Sequence, residues 1–160
     1  MLGCDYDFEG GRLIAKEMAD LLCLELVEKG LVTDSISLYV GYSRRLQKKS
    51  AHGTITMPVT TSSAKKIMGY TQELFEQIVD RNAPIHRVTL AFNRVVDEMY
   101  QQYDLFTDPA EIEREHKIQK TMFEIKEKFG KNAILKGMNL EKGATTIERN
   151  RQIGGHKSGE

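Results

Sequence analysis

The chain has 160 residues, of which 40% are apolar and 29% charged, enough for one compact domain plus an appendage. Its 23 basic and 23 acidic residues give a formal net charge of zero, which excludes bulk charge as the basis for binding nucleic acid or membrane and leaves that question to local charge placement. Two cysteines without metal-ligand spacing, no apolar run of about 18 residues and no basic-then-apolar amino terminus exclude a thiolate metal site, a spanning helix and a signal peptide, and favour reduced thiols in a cytoplasmic protein.

After Met1-Leu2-Gly3-Cys4 the chain enters a helix almost at once, as though an upstream strand or linker had been removed. From about Glu9 to Lys29, Leu13, Ile14, Met18, Leu21, Leu22 and Leu26 recur at three- and four-residue spacing, with Gly30 placed as a C-terminal cap. Cys23 falls in this run and is expected to be buried. Ile36, Leu38, Val40 and Tyr42 then alternate with Ser35, Ser37, Tyr39 and Gly41, the period of a half-buried strand. A second strand follows, with Ile55, Met57 and Val59 against Thr54, Thr56 and Thr60; Pro58 removes a ladder donor and predicts an edge position or an irregularity. Between the two strands lies a turn from Ser43 to Gly53.

A second helix is predicted from about Ser62 to Arg81, striped by Ile67, Leu74, Phe75 and Ile78 and capped by Thr61 or Ser62. Beyond Pro84 a third strand points Val88, Leu90 and Phe92 inward and Arg87, Thr89, Ala91 and Asn93 outward. The order helix, strand, strand, helix, strand describes an α+β domain: a small sheet carrying both helices on one face and Ser, Thr, Tyr, Arg and Asn on the other. Residues 1–96 are assigned to this domain and 97–108 to a linker. Asp108-Pro109-Ala110-Glu111 announces a third, highly charged helix over 109–130 with a narrow stripe of Ile112, Ile118, Met122, Ile125 and Phe129. A Gly-rich basic tail, 131–160, has only a turn of helix capped by Thr145 with Glu148, and is expected to be disordered or laid against something.

No constellation for catalysis or metal binding stands out. Asp97-Glu98 is an acidic pair just past a strand, but a two-metal site needs carboxylates from further elements, and the four histidines are scattered. Gly154-Gly155 follows no strand and is not a phosphate loop. The local basic signal is stronger: Arg44, Arg45, Lys48 and Lys49 share the hairpin turn with no acidic residue among them, while Thr54, Thr56, Arg87 and Thr89 lie on the helix-free face, where they suit a sugar-phosphate backbone. A solvated loop carries such cations too. With Tyr39 as the lone aromatic of that face, backbone tracking fits better than base stacking. In the linker, Gln102-Tyr103-Asp104-Leu105-Phe106 presents an amide and two adjacent large apolar side chains, shaped either to dock elsewhere or to staple the next helix.

Gly53-Thr54-Ile55-Thr56-Met57-Pro58, the helix entry from Thr60 to Lys66 and Ile85-His86-Arg87-Val88-Thr89-Leu90 resemble the little-finger domain of Y-family translesion DNA polymerases, which implies a small, mainly antiparallel sheet with two helices on one face. The segment 102–106 resembles the sliding-clamp-binding peptide of those enzymes. The tail from Lys131 to Lys157 is similar to the carboxyl ends of UmuC-like (UmuC/ImpB/MucB/SamB) members from Gram-positive bacteria and their plasmids or phages. The resemblance implies the carboxyl-terminal part of a damage-tolerance polymerase whose palm, with its Mg2+-binding carboxylates, lies elsewhere, so that no residue here inherits a catalytic role and no cofactor is expected. It places Arg87, Thr89, Thr54 and Thr56 beside the DNA backbone, more loosely Arg44, Arg45, Lys48 and Lys49, and Gln102 to Phe106 on the clamp. Two departures are His86, where many relatives carry arginine, and a first strand truncated before Asp5, so that the sheet either lacks its fourth strand or recruits Met1 to Cys4 for it. A standalone clamp-binding or nucleic-acid-binding adaptor is the alternative reading.

Overall fold

A computed structural model describes residues 2, 4–153 and 156–157, with 152, 153, 156 and 157 described by backbone alone. Met1 and Gly3 of the segment that could supply a fourth strand, and Gly154, Gly155 and 158–160 of the tail, lie outside the described residues.

Helix α1, Phe8–Lys29, starts where the Asp7 carboxylate accepts the Gly10 N–H at 2.8 Å, and stops at Gly30, whose φ of 64° suits a residue without Cβ. Strand β1, Leu31–Tyr42, is the centre of the sheet, and β2, Ala51–Thr61, and β3, Ile85–Asn93, both pair with it antiparallel in the order β2-β1-β3. Each strand is longer than its alternating pattern indicated. Pro58 satisfies both readings of its position: β2 is an edge strand, and its register with β1 steps from Thr33–Thr61 to Ser35–Thr56, leaving 57–60 opposite Asp34 alone. On the other edge Tyr6 and Ile85 exchange backbone hydrogen bonds of 2.8 and 2.7 Å as an isolated bridge, and the Leu2 N–H donates to the His86 carbonyl at 3.1 Å, so among the described residues the amino-terminal segment touches the edge of β3 without forming a strand. A strand that no alternation announced, β4 (Val96–Asp97), turns back to pair with Val32 and Leu31.

Helix α2, Ala64–Ile78, packs beside α1 on the same face of the sheet. Ile14, Ala19, Cys23, Ile36, Leu38, Val40, Ile67, Phe75 and Ile85, each at most 2% exposed, form the core between the layers. Burial raises the Cys23 thiol pKa well above its usual range, as expected of a structural cysteine. The cap of α2 is Ser63, which accepts the Lys66 N–H at 3.2 Å, and not Thr61 or Ser62; the Thr61 hydroxyl instead accepts the Ser63 N–H at 3.1 Å.

Helix α3, Pro109–Phe129, is capped by Asp108 as expected, but it buries only part of its apolar stripe, together with Gln119. Ile112 and Met122 are buried, whereas Ile118 and Phe129 are 54% and 70% exposed. The reason is where α3 lands. It meets the amino end of α2, whose first N–H groups lack intrahelical acceptors: Glu115 accepts from Lys65 N–H at 2.9 Å and from the Ser63 hydroxyl at 2.6 Å, while Gln119 accepts from Ala64 N–H at 3.1 Å and donates to the Ser62 carbonyl at 2.9 Å.

The tail is laid against α1. Glu17, fully buried on α1, accepts from the N–H groups of Thr145 and Thr146 at 2.8 and 3.1 Å and from the Asn139 side-chain amide at 2.8 Å, and Lys136 pairs with Asp20. The short helix α4, Thr146–Arg149, thus forms where a turn was expected, but its first N–H groups are met by a carboxylate from α1 rather than by the Thr145 hydroxyl. Because α3 and the tail also pack on α1, its buried set includes Glu17 and Asp20 as well as Leu13, Ile14 and Leu26 of the apolar stripe. No helix among the described residues is long and apolar enough to cross a membrane.

Candidate nucleic-acid interface and docking segment

Because both sheet-packing helices lie on one side, the outward residues of three strands form a continuous polar surface. The β1–β2 register sets Ser37 opposite Thr54 and Tyr39 opposite His52, and the β1–β3 register sets Tyr39 opposite Thr89 and Gly41 opposite Arg87. Arg87, Thr89, His52, Thr54 and Thr56 are all exposed. A shallow, open depression of about 330 Å³ lies among Ser37, Tyr39, His52, Thr54 and Thr89.

The side chains of this face are mutually ordered. Ser37 and Thr54 hydroxyls are 2.8 Å apart, Asn93 donates to the Ser37 hydroxyl at 2.7 Å, and the Tyr39 and Ser50 hydroxyls are 2.6 Å apart. The Arg87 guanidinium sits 5.9 Å from the Tyr39 ring centroid. Gly41, the register partner of Arg87, leaves room beside it: a Cβ added there would come within 3.2 Å of the Arg87 Cβ. At the opposite end of the face stands Arg94, which no strand pattern singled out because it follows the last alternating residue. Its φ of 47° is unusual for a side-chain-bearing residue, and its guanidinium donates to Asp34 at 2.8 Å and to the Thr56 hydroxyl at 3.2 Å. Arginines therefore mark both ends of a hydroxyl-rich surface.

The hairpin cations divide. Arg44 and Arg45 lie in a single 3-10 turn, and they and Lys49 are exposed. Lys48 is drawn to the helix side: its ammonium is 2.8 Å from the Asp80 carboxylate and 5.6 Å from the Tyr42 ring, and the Asp80 contact raises its pKa. His86 is 2.8 Å from Asp5, whose carboxyl it holds below the usual range together with the Ser43 hydroxyl. Asp97 and Glu98 do not converge on further ligands; Asp97 caps a turn by accepting the Met99 N–H at 2.9 Å, and Glu98 is 3.7 Å from His116. Among the described residues no three His, Cys, Asp or Glu side chains are grouped to hold a metal.

The segment 102–106 lies outside the core. Gln102 is bound to the end of β2, its N–H donating to the Thr60 carbonyl at 2.9 Å and its side-chain oxygen accepting from the Thr60 N–H at 3.1 Å. Asp104 pairs with Lys66 and accepts from the N–H groups of Phe106 and Thr107 at 3.0 and 2.6 Å. Tyr103 is half exposed, and Leu105 and Phe106 are 98% and 97% exposed. They do not staple α3.

Residues 5–105 match the impB/mucB/samB family C-terminal domain. The chain is 28% identical over 124 residues to the protein UvrX of Bacillus subtilis (strain 168), whose name marks it as a candidate UV-damage repair protein; the match covers 78% of this chain and 29% of that one. It is 31% identical over 116 residues to DNA polymerase IV 2 of Halalkalibacterium halodurans, covering 72% of this chain and 25% of that one. The chain thus spans under a third of the length of these relatives. No solved structure matches it. With the sheet, its two helices and the segment 102–106 all inside or bordering the matched span, the chain belongs to the impB/mucB/samB family of Y-family polymerase-like proteins and carries that family's C-terminal domain.

Proposed function

We propose that this chain is the DNA-gripping, clamp-docking carboxyl-terminal region of a translesion DNA polymerase acting in damage tolerance. The observation that carries the reading is the two-sided sheet: helices on one face, and on the other an ordered field of hydroxyls bounded by Arg87 and Arg94. At about 3.3 Å per residue the nine residues of β3 extend roughly 30 Å, enough to reach both phosphate walls of a major groove about 12 Å wide. Hydroxyls and guanidinium groups at such positions hold phosphate and sugar without reading base edges, which suits a polymerase that must accept damaged templates. Arg44, Arg45 and Lys49 extend the footprint at the hairpin; Lys48, paired with Asp80, and Arg94, paired with Asp34, contribute less charge to it.

Weak backbone binding gives short dwell times, and the exposed Leu105–Phe106 pair offers the remedy. Seated in a sliding-clamp pocket, it raises the effective concentration of the domain at the primer end without any added grip on DNA. The Mg2+ that such a polymerase uses belongs to its palm, and no residue described here is assigned to it.

Arg87→Ala is expected to weaken binding to primer-template duplexes of unrelated sequence by the same factor, and to lower the slope of log affinity against log salt by about 1. Fluorescence anisotropy at several salt concentrations measures both. A loss confined to one sequence, or an unchanged slope, contradicts backbone tracking through this residue.

A further inference from the structure

The internal bonds of the segment 102–106 assign its residues different jobs from those its pattern suggests. Gln102 has its side-chain oxygen committed to the Thr60 backbone, so it holds the start of the segment to β2 instead of facing outward as an acceptor. Two residues on, Asp104 gathers the N–H groups of Phe106 and Thr107, closing a tight turn with Leu105 and Phe106 at its apex. Lys66, from the first turn of α2, fastens both ends of that turn: its ammonium contacts the Asp104 carboxylate and donates to the Thr107 hydroxyl at 2.8 Å. Isolated surface ion pairs contribute little. This one is different in kind, since its two side chains are only 19% and 27% exposed and the carboxylate accepts two backbone bonds as well.

We propose that Lys66 is a positioning residue that pre-forms the Leu105–Phe106 turn for its protein partner, with Gln102 and Asp104 as internal staples and not as partner contacts. The inference rests on the clamp-docking reading and specifies how the segment performs it. A turn already built in the free chain spares the ordering entropy that an unstructured peptide loses on docking. The Asp104 carboxyl pKa is held well below its usual range, first by Lys66 and then by Thr107, as expected of a carboxylate that accepts this set of bonds.

The test uses the full chain and the sliding clamp of the source bacterium, with binding followed by calorimetry and the free chain by amide relaxation. Lys66→Met keeps the aliphatic stem and removes the charge. It should weaken clamp binding about tenfold, through a less favourable entropy, and lower the order parameters of the Phe106 and Thr107 amides while leaving the exchange protection of β1 and DNA affinity unchanged. Lys66→Arg should restore most of the affinity. If Lys66→Met binds the clamp as tightly as the parent chain while Leu105→Ala/Phe106→Ala does not bind, the positioning role is overturned and the docking reading stands. If the Leu105→Ala/Phe106→Ala chain binds normally, the docking reading fails and this inference fails with it.

Discussion

Replacing Leu105 and Phe106 together by alanine should abolish measurable binding to the sliding clamp while leaving affinity for DNA intact. At 98% and 97% exposure neither side chain holds the fold together, so their removal leaves no cavity and exposes no buried polar group. Buried in a partner's pocket, each is expected to contribute about 2 kcal/mol, and the pair roughly 4 kcal/mol or on the order of a thousandfold in affinity. Calorimetry against the clamp and anisotropy against duplex DNA, run on the same preparation, separate the two outcomes. Unchanged clamp affinity rejects the docking role; a parallel loss of DNA affinity points to damage to the sheet.

The second large effect concerns stability. Glu17→Ala should release the tail from α1 and cost roughly 3 kcal/mol, because three donors that now meet a fully buried carboxylate lose their acceptor. The loss should be regional. Amide hydrogen exchange at Thr145 and Thr146 is expected to accelerate to the rate of an unprotected peptide, while the central strand β1 stays protected. Protection of Thr145 and Thr146 equal to that of the parent chain would show that apolar contacts, not Glu17, hold the tail.

These two regions differ in how far the sequence reveals them. The helix-free face was legible because strand alternation has a period of two, so Thr54, Thr56, Arg87 and Thr89 had to share one side once Ile55, Met57, Val88 and Leu90 pointed inward. Gly30 and Asp108 were legible for a related reason: left-handed backbone and helix N-caps have local residue preferences. What escaped is set by partners distant in the chain. Glu17 reads as one more charge on an amphipathic helix until residues 139–146 fold onto it. Glu115 and Gln119 are polar residues on the face of α3 that carries Ile112 and Met122, and their inward placement follows from the open amino end of α2 some fifty residues earlier. Lys48 looks like its neighbours until Asp80, on the far side of α2, neutralises it. Arg94 and β4 lie past the point where alternation stops, and only the return of the chain to Leu31 and Val32 gives them a place.

For the candidate interface the same division holds. The pattern at 102–106 supplied the exposed pair, whereas the bonds from Thr60 and Lys66 that shape the turn come from β2 and α2. Local pattern therefore identifies which side chains face outward, and tertiary pairing decides which of them remain free to meet a partner.

The most direct measurement is an amide-resolved NMR titration of the chain with a primer-template duplex at low salt. Shifts or broadening should concentrate on Ser37, Tyr39, His52, Thr54, Thr56, Arg87 and Thr89, spare α1 and α2, and vanish as salt is raised. Perturbations centred on the helical face, or a sheet surface that does not respond to DNA at all, would contradict the account.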